Sequence, residues 1–281
     1  MSRTVIVGAR GFVGGAIVRR LAEAGMPTLP LGRTDIDLLQ PDAGAKLAAQ
    51  LRPDDAVVLV SAEAPCRDAA GMVRNMAMVR AMAEALAAQA VAHVVNISSD
   101  AVYADEPALV SEDTPAAPAS PHGAMHRARE ILLSAAVKAP LAHLRPSLLY
   151  GAADPHNGYG PNRFRRTAAK DGKIALFGEG EEKRDHVLID DVAELVRLAI
   201  AQRFAGVLNL VTGKSVSFRD IAERIAAMAD RPVAIEGSPR RNPVTHRHFD
   251  VRARLKAFPQ FRSTPIEDGL ARAAAPLESV R

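Results

Sequence analysis

The chain has 281 residues, of which 48% are hydrophobic and 24% are charged, and its formal net charge is +4. This composition is typical of a soluble globular protein, no run of ~18 apolar residues indicates a membrane span, and the single cysteine, Cys66, favours a reducing, cytoplasmic compartment. The mild positive charge and the 4% aromatic content favour a small anionic ligand over nucleic acid.

Short apolar strands alternate with amphipathic helices through the first half of the chain. These elements are predicted, in chain order, at 4–8, 16–25, 56–62, 72–90, 93–98, 123–136 and 141–147. The alternation predicts a doubly wound parallel sheet, which is the Rossmann type of α/β fold.

After Tyr150 the pattern changes to a loop rich in glycine, proline and asparagine, which suits a ligand-facing segment. Strands follow at 185–189 and 206–212, and a helix is predicted at 217–229. We therefore expect a dinucleotide-binding core at 1–155, joined by strands within 186–212, and a smaller substrate-binding lobe mainly at 156–281.

A glycine-rich turn, GARGFVG, lies between the first strand and the first helix. Small residues there allow a tight turn and a close approach of the backbone to a pyrophosphate, which then sits at the positive end of the helix. The turn predicts a dinucleotide site formed by Gly8, Arg10, Gly11, Phe12, Val13 and Gly14.

A further strand, between the first helix and residue 56, ends at LGRTDID, residues 31–37, and its end bears on the choice between NAD and NADP. Gly32 and Arg33 stand where an NAD site would offer an acidic residue to the ribose, and Arg10 lies in the glycine-rich turn. Because guanidinium groups suit a 2′-phosphate, we expect NADP in preference to NAD. The alternative is that both arginines are solvated surface groups.

Several segments together resemble the extended short-chain dehydrogenase/reductase superfamily, the NAD-dependent epimerases, dehydratases and reductases of nucleotide sugars. They are GARGFVG, the pair Asp37 and Leu38, VSA at 60–62, Asn75, SSDAVY at 98–103, LRPSLLYG at 144–151, and the segments 178–193, 206–218 and 264–270. The resemblance covers nearly the whole chain and implies a hydride-transfer enzyme that acts on a nucleotide-linked sugar.

The resemblance also assigns roles to single residues. It implies that Asp37 hydrogen-bonds the adenine beside Leu38 and that Ser61 and Ala62 line the cofactor groove. It further implies that Arg145, Pro146 and Ser147 lead to the nicotinamide, and that Asn162 and Arg184 lie in the sugar-nucleotide cleft. An ion pair with Asp185 or Asp190 is the alternative for Arg184. Arg240 and Arg241 are weaker candidates, and a homodimer through the helices at 71–90 and 122–137 is implied, unless those faces pack on the sheet.

The sequence departs from the superfamily pattern at the catalytic pair Tyr-x-x-x-Lys. His122 and His126 occupy these two positions, while Ser99 and the flanking Gly123 and Glu130 are retained. We expect Ser99 to orient the substrate oxygen, His122 to exchange the proton, and His126 to hydrogen-bond the nicotinamide ribose, because neutral imidazole is a competent base near neutral pH.

Other interpretations of the two histidines remain. A zinc site would need Glu130 or His156 as a third ligand, at no recognised spacing, so we predict no metal. The pair can also mark a binding module or partner subunit that has lost catalysis, and Tyr159 is another candidate base. Epimerisation and reduction are favoured over dehydration, because Asp100 is followed by Ala101 and not by a second acid.

Overall fold

The computed structural model describes residues 3–106, 108–240 and 243–274. The strands are β1 Thr4–Val7, β2 Thr28–Leu31, β3 Ala56–Leu59, β4 His93–Ile97, β5 Leu109–Val110, β6 Leu141–Pro146, β7 Leu148–Tyr150, β8 Lys173–Phe177, β9 Lys183–Leu188, β10 Gly206–Leu210, β11 Ser215–Ser217, β12 Ala234–Ser238 and β13 His248–Phe249. The helices are α1 Phe12–Glu23, α2 Ala43–Ala48, α3 Ala69–Ala88, α4 Pro121–Ala136, α5 Pro161–Asp171, α6 Ile189–Ala201, α7 Phe218–Ala227, α8 Arg252–Ala257 and α9 Ile266–Ala274.

Six strands form a central parallel sheet in the order β10-β6-β4-β3-β1-β2. The strands β1, β3 and β4 are buried along their whole length, as expected for a parallel sheet covered on both faces. One apolar core packs α1 and α6 against the sheet, and the other packs α2, α3 and α4 against it. The predicted doubly wound α/β fold is confirmed.

The predicted smaller lobe is also present. It contains the three-stranded sheet β11-β9-β7 and the parallel pair β12-β8, and a separate apolar core lies among α5, α7 and α9. The chain returns to the central sheet through α6 and β10, and the division near residue 155 stays a prediction. No helix in the described ranges is long and apolar enough to cross a membrane.

Candidate active site

A cleft of about 720 Å³ opens at the carboxyl ends of the central strands and reaches the smaller lobe. Ligands of open parallel sheets bind at this edge. The predicted site residues that line the cleft are Gly8, Arg10, Gly11, Phe12, Val13, Arg33, Asp37, Leu38, Ser61, Ala62, Ser99, His122, His126, Pro146, Ser147 and Asn162. Gly14, Arg145 and Arg184 lie outside this lining.

The glycine-rich turn is shaped for close backbone approach. Gly8 has a φ of +99°, and a Cβ on it would lie 2.7 Å from the Ser61 nitrogen. A Cβ on Gly14 would overlap the carbonyl oxygen of Gly8, so Gly14 lets α1 pack against the turn and does not face the cleft. Gly11 caps α1 without a side-chain hydrogen bond, which leaves first-turn N–H groups available to an anion. These features fit a dinucleotide pyrophosphate.

Arg10 and Arg33, which we predicted beside the adenosine ribose, are exposed and paired with carboxylates. Arg10 lies 3.2 Å from Asp35, and Arg33 lies 3.7 Å from Asp37. The Arg10 side chain covers Gly32, where a Cβ would come within 2.7 Å of its Cδ. Both guanidinium groups therefore reach the region beside the second strand, and exposed pairs of this kind are weak enough to open for a ligand.

Helix α4 brings the histidines to the cleft. It begins after Ser120, whose Oγ accepts a hydrogen bond from the Gly123 N–H at 3.1 Å, and Pro121 occupies its first turn. A Cβ on Gly123 would overlap the Ala101 carbonyl oxygen, so only glycine allows this approach of α4 to the turn at 100–102. This contact holds His122 beside the turn that follows Ser99, so glycine at position 123 is needed to bring these two residues together.

His122 and His126 contact each other edge to face, with their ring centroids 4.7 Å apart. Nδ1 of His122 accepts a long hydrogen bond of 3.4 Å from the Cys66 N–H, and Nδ1 of His126 is buried without a partner among the described residues. Burial, reinforced by His156, lowers the pKa of His122, and burial with His122 and Arg129 lowers the pKa of His126 much further. Both rings are therefore neutral at neutral pH.

Ser99 Oγ accepts a hydrogen bond from the Ala101 N–H at 3.1 Å, and its own O–H lies 3.5 Å from Asp100 Oδ1. The latter contact is at the limit of a hydrogen bond, so the hydroxyl is free to turn to a ligand. Asp100 also accepts a hydrogen bond from Ser147 Oγ at 3.2 Å. Burial raises the pKa of Asp100, and Arg247 at 3.6 Å opposes that rise.

A buried ionic network lies behind α4. Glu130 accepts hydrogen bonds from Ser98 Oγ at 2.7 Å and from Arg145 at 2.8 and 2.7 Å. Arg145 also donates to the Tyr103 hydroxyl at 2.8 Å. Burial alone would raise the pKa of Glu130, but Arg145 and Ser98 hold it below its ordinary value. Glu130 is thus an ionised residue that fixes α4 to β6.

The remaining candidates from the sequence occupy different places. Asn162 accepts a hydrogen bond from the Gly151 N–H, and Arg184 donates to the main-chain and hydroxyl oxygens of Thr245. The Tyr159 hydroxyl accepts a hydrogen bond from the Phe177 N–H at 2.9 Å, so it is held towards β8. Arg240 pairs with Glu181 and Glu182, and Arg241 lies outside the described residues.

Sequence reasoning missed two arginines near the site, Arg247 and Arg129. Arg247 is 8% exposed and joins Asp100 to Asp105, and Arg129 is 1% exposed below the cleft. The contacts of Arg247 reach across more than 140 residues of sequence, so its position in the sequence does not indicate that it is buried. The same holds for Arg129, whose contacts are with residues on or just after β3 and β4.

A metal site at the histidines finds no support in the described parts of the chain, where no three His, Cys, Asp or Glu side chains could hold an ion. The proposed third ligand Glu130 faces Ser98 and Arg145 instead.

Known proteins resemble this chain over most of its length. Residues 4–210 match the NAD dependent epimerase/dehydratase family. UDP-glucose 4-epimerase of Mycolicibacterium smegmatis is 30% identical over 85% of this chain and 86% of its own. The structure of the Thermus thermophilus UDP-glucose 4-epimerase with NAD has a TM-score of 0.84 at 21% identity, over 97% of both chains.

A GDP-L-fucose synthetase from Naegleria fowleri bound to NADP superposes with a TM-score of 0.82 at 16% identity, over 97% of this chain and 92% of its own. These structural likenesses extend the agreement in fold to the smaller lobe. They leave the histidine pair a prediction. The resemblance seen in the sequence is confirmed, and the chain belongs to the NAD-dependent epimerase/dehydratase family of enzymes, of the nucleotide-sugar epimerase and reductase type.

Proposed function

We propose that the protein binds NADP(H) or NAD(H) together with a nucleotide-linked sugar and interconverts a hydroxyl and a keto group on that sugar, as an epimerase or a reductase. The observation that carries this proposal is one cleft that contains the glycine-rich turn at one end and Ser99, His122 and His126 at the other. The relatives support the ligand class, since one is named for UDP-glucose and the solved structures hold NAD or NADP.

Calorimetry tests this proposal directly. NADPH or NADH should bind with a Kd in the micromolar range or below, and a UDP-, dTDP- or GDP-linked sugar should then bind to the cofactor complex. If no nicotinamide dinucleotide binds, the proposal is wrong.

The chain's own residues define the chemistry. A nicotinamide dinucleotide supplies a hydride acceptor or donor when it is bound along Gly8, Gly11, Ser61 and Ala62. Ser99 Oγ, whose O–H makes only a 3.5 Å contact to Asp100, turns to the reacting sugar oxygen, hydrogen-bonds it and fixes its position.

His122 exchanges the proton at that oxygen through Nε2, which has no partner among the described residues. Its Nδ1 accepts a hydrogen bond from the Cys66 N–H, and this contact places the proton of the neutral ring on Nε2. Since a hydrogen bond of 3.4 Å is weak, the other tautomer costs only about 1 kcal/mol. In that tautomer Nε2 accepts the proton of the sugar hydroxyl, and the imidazolium so formed can return a proton from Nε2. His126 hydrogen-bonds a ribose hydroxyl as a neutral group.

The rate should depend on pH through His122. Burial lowers the pKa of this imidazole from its ordinary value of 6.5. In the direction that oxidises a sugar hydroxyl, where neutral His122 accepts the proton, kcat/KM should therefore rise along an acid limb with a midpoint below pH 6.5. A profile of kcat/KM from about pH 5 to 8 measures the limb. An inflection above pH 7 would show that a different group controls the reaction.

NADPH should bind more tightly than NADH, because Arg10 and Arg33 offer guanidinium groups near the adenosine ribose. Arg33→Ala should weaken NADPH about tenfold, the effect of losing one charge-assisted hydrogen bond, and leave NADH within about twofold. Arg19→Ala is the matched control, since it removes an exposed arginine of α1 outside the cleft. If the unsubstituted protein bound NADPH and NADH with equal affinity, the proposed preference for NADPH would be wrong.

A homodimer through α3 and α4 is proposed because these packed helices carry large exposed apolar side chains. Val73 is 68% exposed on α3, and Ile131 is 53% exposed on α4. Light scattering at micromolar concentration should give twice the chain mass, and the double change Val73→Lys with Ile131→Lys should give a monomer. A monomeric mass for the unsubstituted protein would contradict the proposal.

A cytoplasmic location is proposed on the cysteine content alone. The sequence has one cysteine, Cys66, which is a buried free thiol. Such usage is typical of proteins in reducing compartments.

The second candidate function is a binding protein that kept the cofactor groove without catalysis. The changed pair His122 and His126 favours it, because neutral His126 supplies no permanent charge to the ribose. Binding of both ligands without hydride transfer would be its signature.

A further inference from the structure

Arg129 places a guanidinium group beneath the floor of the cleft. It lies on α4 one turn after His126 and is 1% exposed. Its Nε donates to Asn96 Oδ1 at 2.6 Å, and its two terminal nitrogens donate to the carbonyl oxygens of Leu59, at 2.8 Å, and Ser61. These acceptors lie on or just after β3 and β4, at the edge of the sheet where the cleft opens.

The charge of Arg129 has no carboxylate to compensate it within the described ranges, since all three acceptors are neutral oxygens. The adjacent Glu130 is bound to Arg145 and Arg127 instead. Burial lowers the pKa of Arg129 to about 10, which leaves the group charged at neutral pH. A buried charge without a counter-ion is costly to retain and exerts a strong local potential.

That potential acts on the floor of the cleft between Ser61, which lies beside Gly8 of the glycine-rich turn, and His126, which lies at the end where the nicotinamide is expected. Arg129 touches Ser61, which lines the cleft, and stands at helical i, i+3 spacing from His126, which also lines it. The oxidised nicotinamide ring carries a positive charge that the reduced ring lacks. A fixed cation below the cleft therefore disfavours the oxidised ring more than the reduced ring.

We propose that Arg129 is an electrostatic positioning residue that makes the protein bind the reduced nicotinamide cofactor in preference to the oxidised one. The inference rests on the proposed function, because it requires a nicotinamide dinucleotide in this cleft. It also assigns to Arg129 the permanent positive charge that neutral His126 lacks.

Three variants separate the charge from the hydrogen bonds. Arg129→Met removes both, and Arg129→Lys keeps the charge with fewer hydrogen bonds. Asn96→Asp keeps Arg129 and sets a carboxylate at the oxygen 2.6 Å from its Nε, which compensates the charge in place. His143, whose Nδ1 lies 3.1 Å from Asn96 Nδ2, can follow by moving its proton to Nδ1, with Ser134 Oγ donating to Nε2.

The measurement is the calorimetric Kd of NADP⁺ and of NADPH, or of NAD⁺ and NADH if that couple binds more tightly. The ratio of the oxidised to the reduced Kd should fall by roughly 3- to 30-fold in Arg129→Met and in Asn96→Asp, the range for one charge acting in a partly dry site. Arg129→Lys should keep the ratio within about twofold.

If Asn96→Asp binds both forms and its ratio stays within twofold, the inference is overturned, whether or not Arg129→Met folds. Equal weakening of both forms would show a structural role and would overturn it as well. If the unsubstituted protein binds neither form, the proposed function fails, and the inference fails with it. If the unsubstituted protein binds both forms but the substitutions leave the ratio of the two Kd values unchanged, the inference is wrong and the proposed function stands.

Discussion

His122→Phe should lower kcat with the true nucleotide sugar by roughly 10²- to 10⁴-fold, since a positioned acid or base typically contributes that much. The Kd of the cofactor should stay within about twofold, because phenylalanine preserves the edge-to-face packing on His126 and the ring makes only one long hydrogen bond to the described part of the protein. Stopped-flow kinetics with a matched calorimetric titration measures both quantities.

His126→Ala is the companion variant and should change the Kd of the cofactor, which His122→Phe should leave almost unchanged. It should weaken cofactor binding, because the ring that lines the cleft where we propose that the ribose binds is lost.

If His122→Phe retained full turnover, another group would have to exchange the proton. Tyr159 is the first candidate for that role, although its hydroxyl would have to leave the Phe177 N–H.

Glu130→Ala should lower the free energy of unfolding by about 3–5 kcal/mol, the usual cost of removing one partner from a buried ion pair. The Glu130 side chain is 2% exposed and that of Arg145 is 4% exposed, so the substitution leaves a buried guanidinium without its counter-ion. Ser98 Oγ loses its acceptor at the same time. Urea denaturation followed by circular dichroism gives the difference.

Glu181→Ala is the control for Glu130→Ala, because Glu181 also pairs with an arginine but is 46% exposed. Its substitution should leave the free energy of unfolding nearly unchanged, because an exposed ion pair contributes little. Because the pKa of Glu130 is lowered in the folded protein, its contribution is present above its ordinary pKa of 4.5 and is lost as the pH falls through the lower folded value. A loss below 1 kcal/mol in Glu130→Ala at neutral pH would contradict the account of this network.

The central sheet was predictable because β1, β3 and β4 are buried along their whole length and therefore appear in the sequence as continuous apolar runs, while the helices between them are amphipathic. The loop predicted after Tyr150 is correct only in part, since α5 already begins at Pro161. Proline at the first turn of a helix reads in sequence as a turn residue, which hides this start.

The cleft lining at the glycine-rich turn was more predictable than the surroundings of Asp100 and His126. The glycine-rich turn is one continuous segment, and its function depends on local backbone freedom. Arg247 contacts Asp100 and Asp105 although it lies far from them in the sequence. Arg129 is buried although Arg127, the other arginine of α4, is 40% exposed. Burial of a charged side chain depends on tertiary contacts, which helical spacing does not encode.

The most direct test of the central claim is the nicotinamide absorbance of the protein loaded with oxidised or reduced cofactor and mixed with a panel of UDP-, dTDP- and GDP-linked sugars and their keto forms. We expect at least one sugar to change the absorbance in a single turnover, and His122→Phe to slow that change by roughly 10²- to 10⁴-fold. No change with any sugar, together with its appearance in the double variant His122→Tyr with His126→Lys, would contradict the claim and identify a binding protein on an enzyme scaffold.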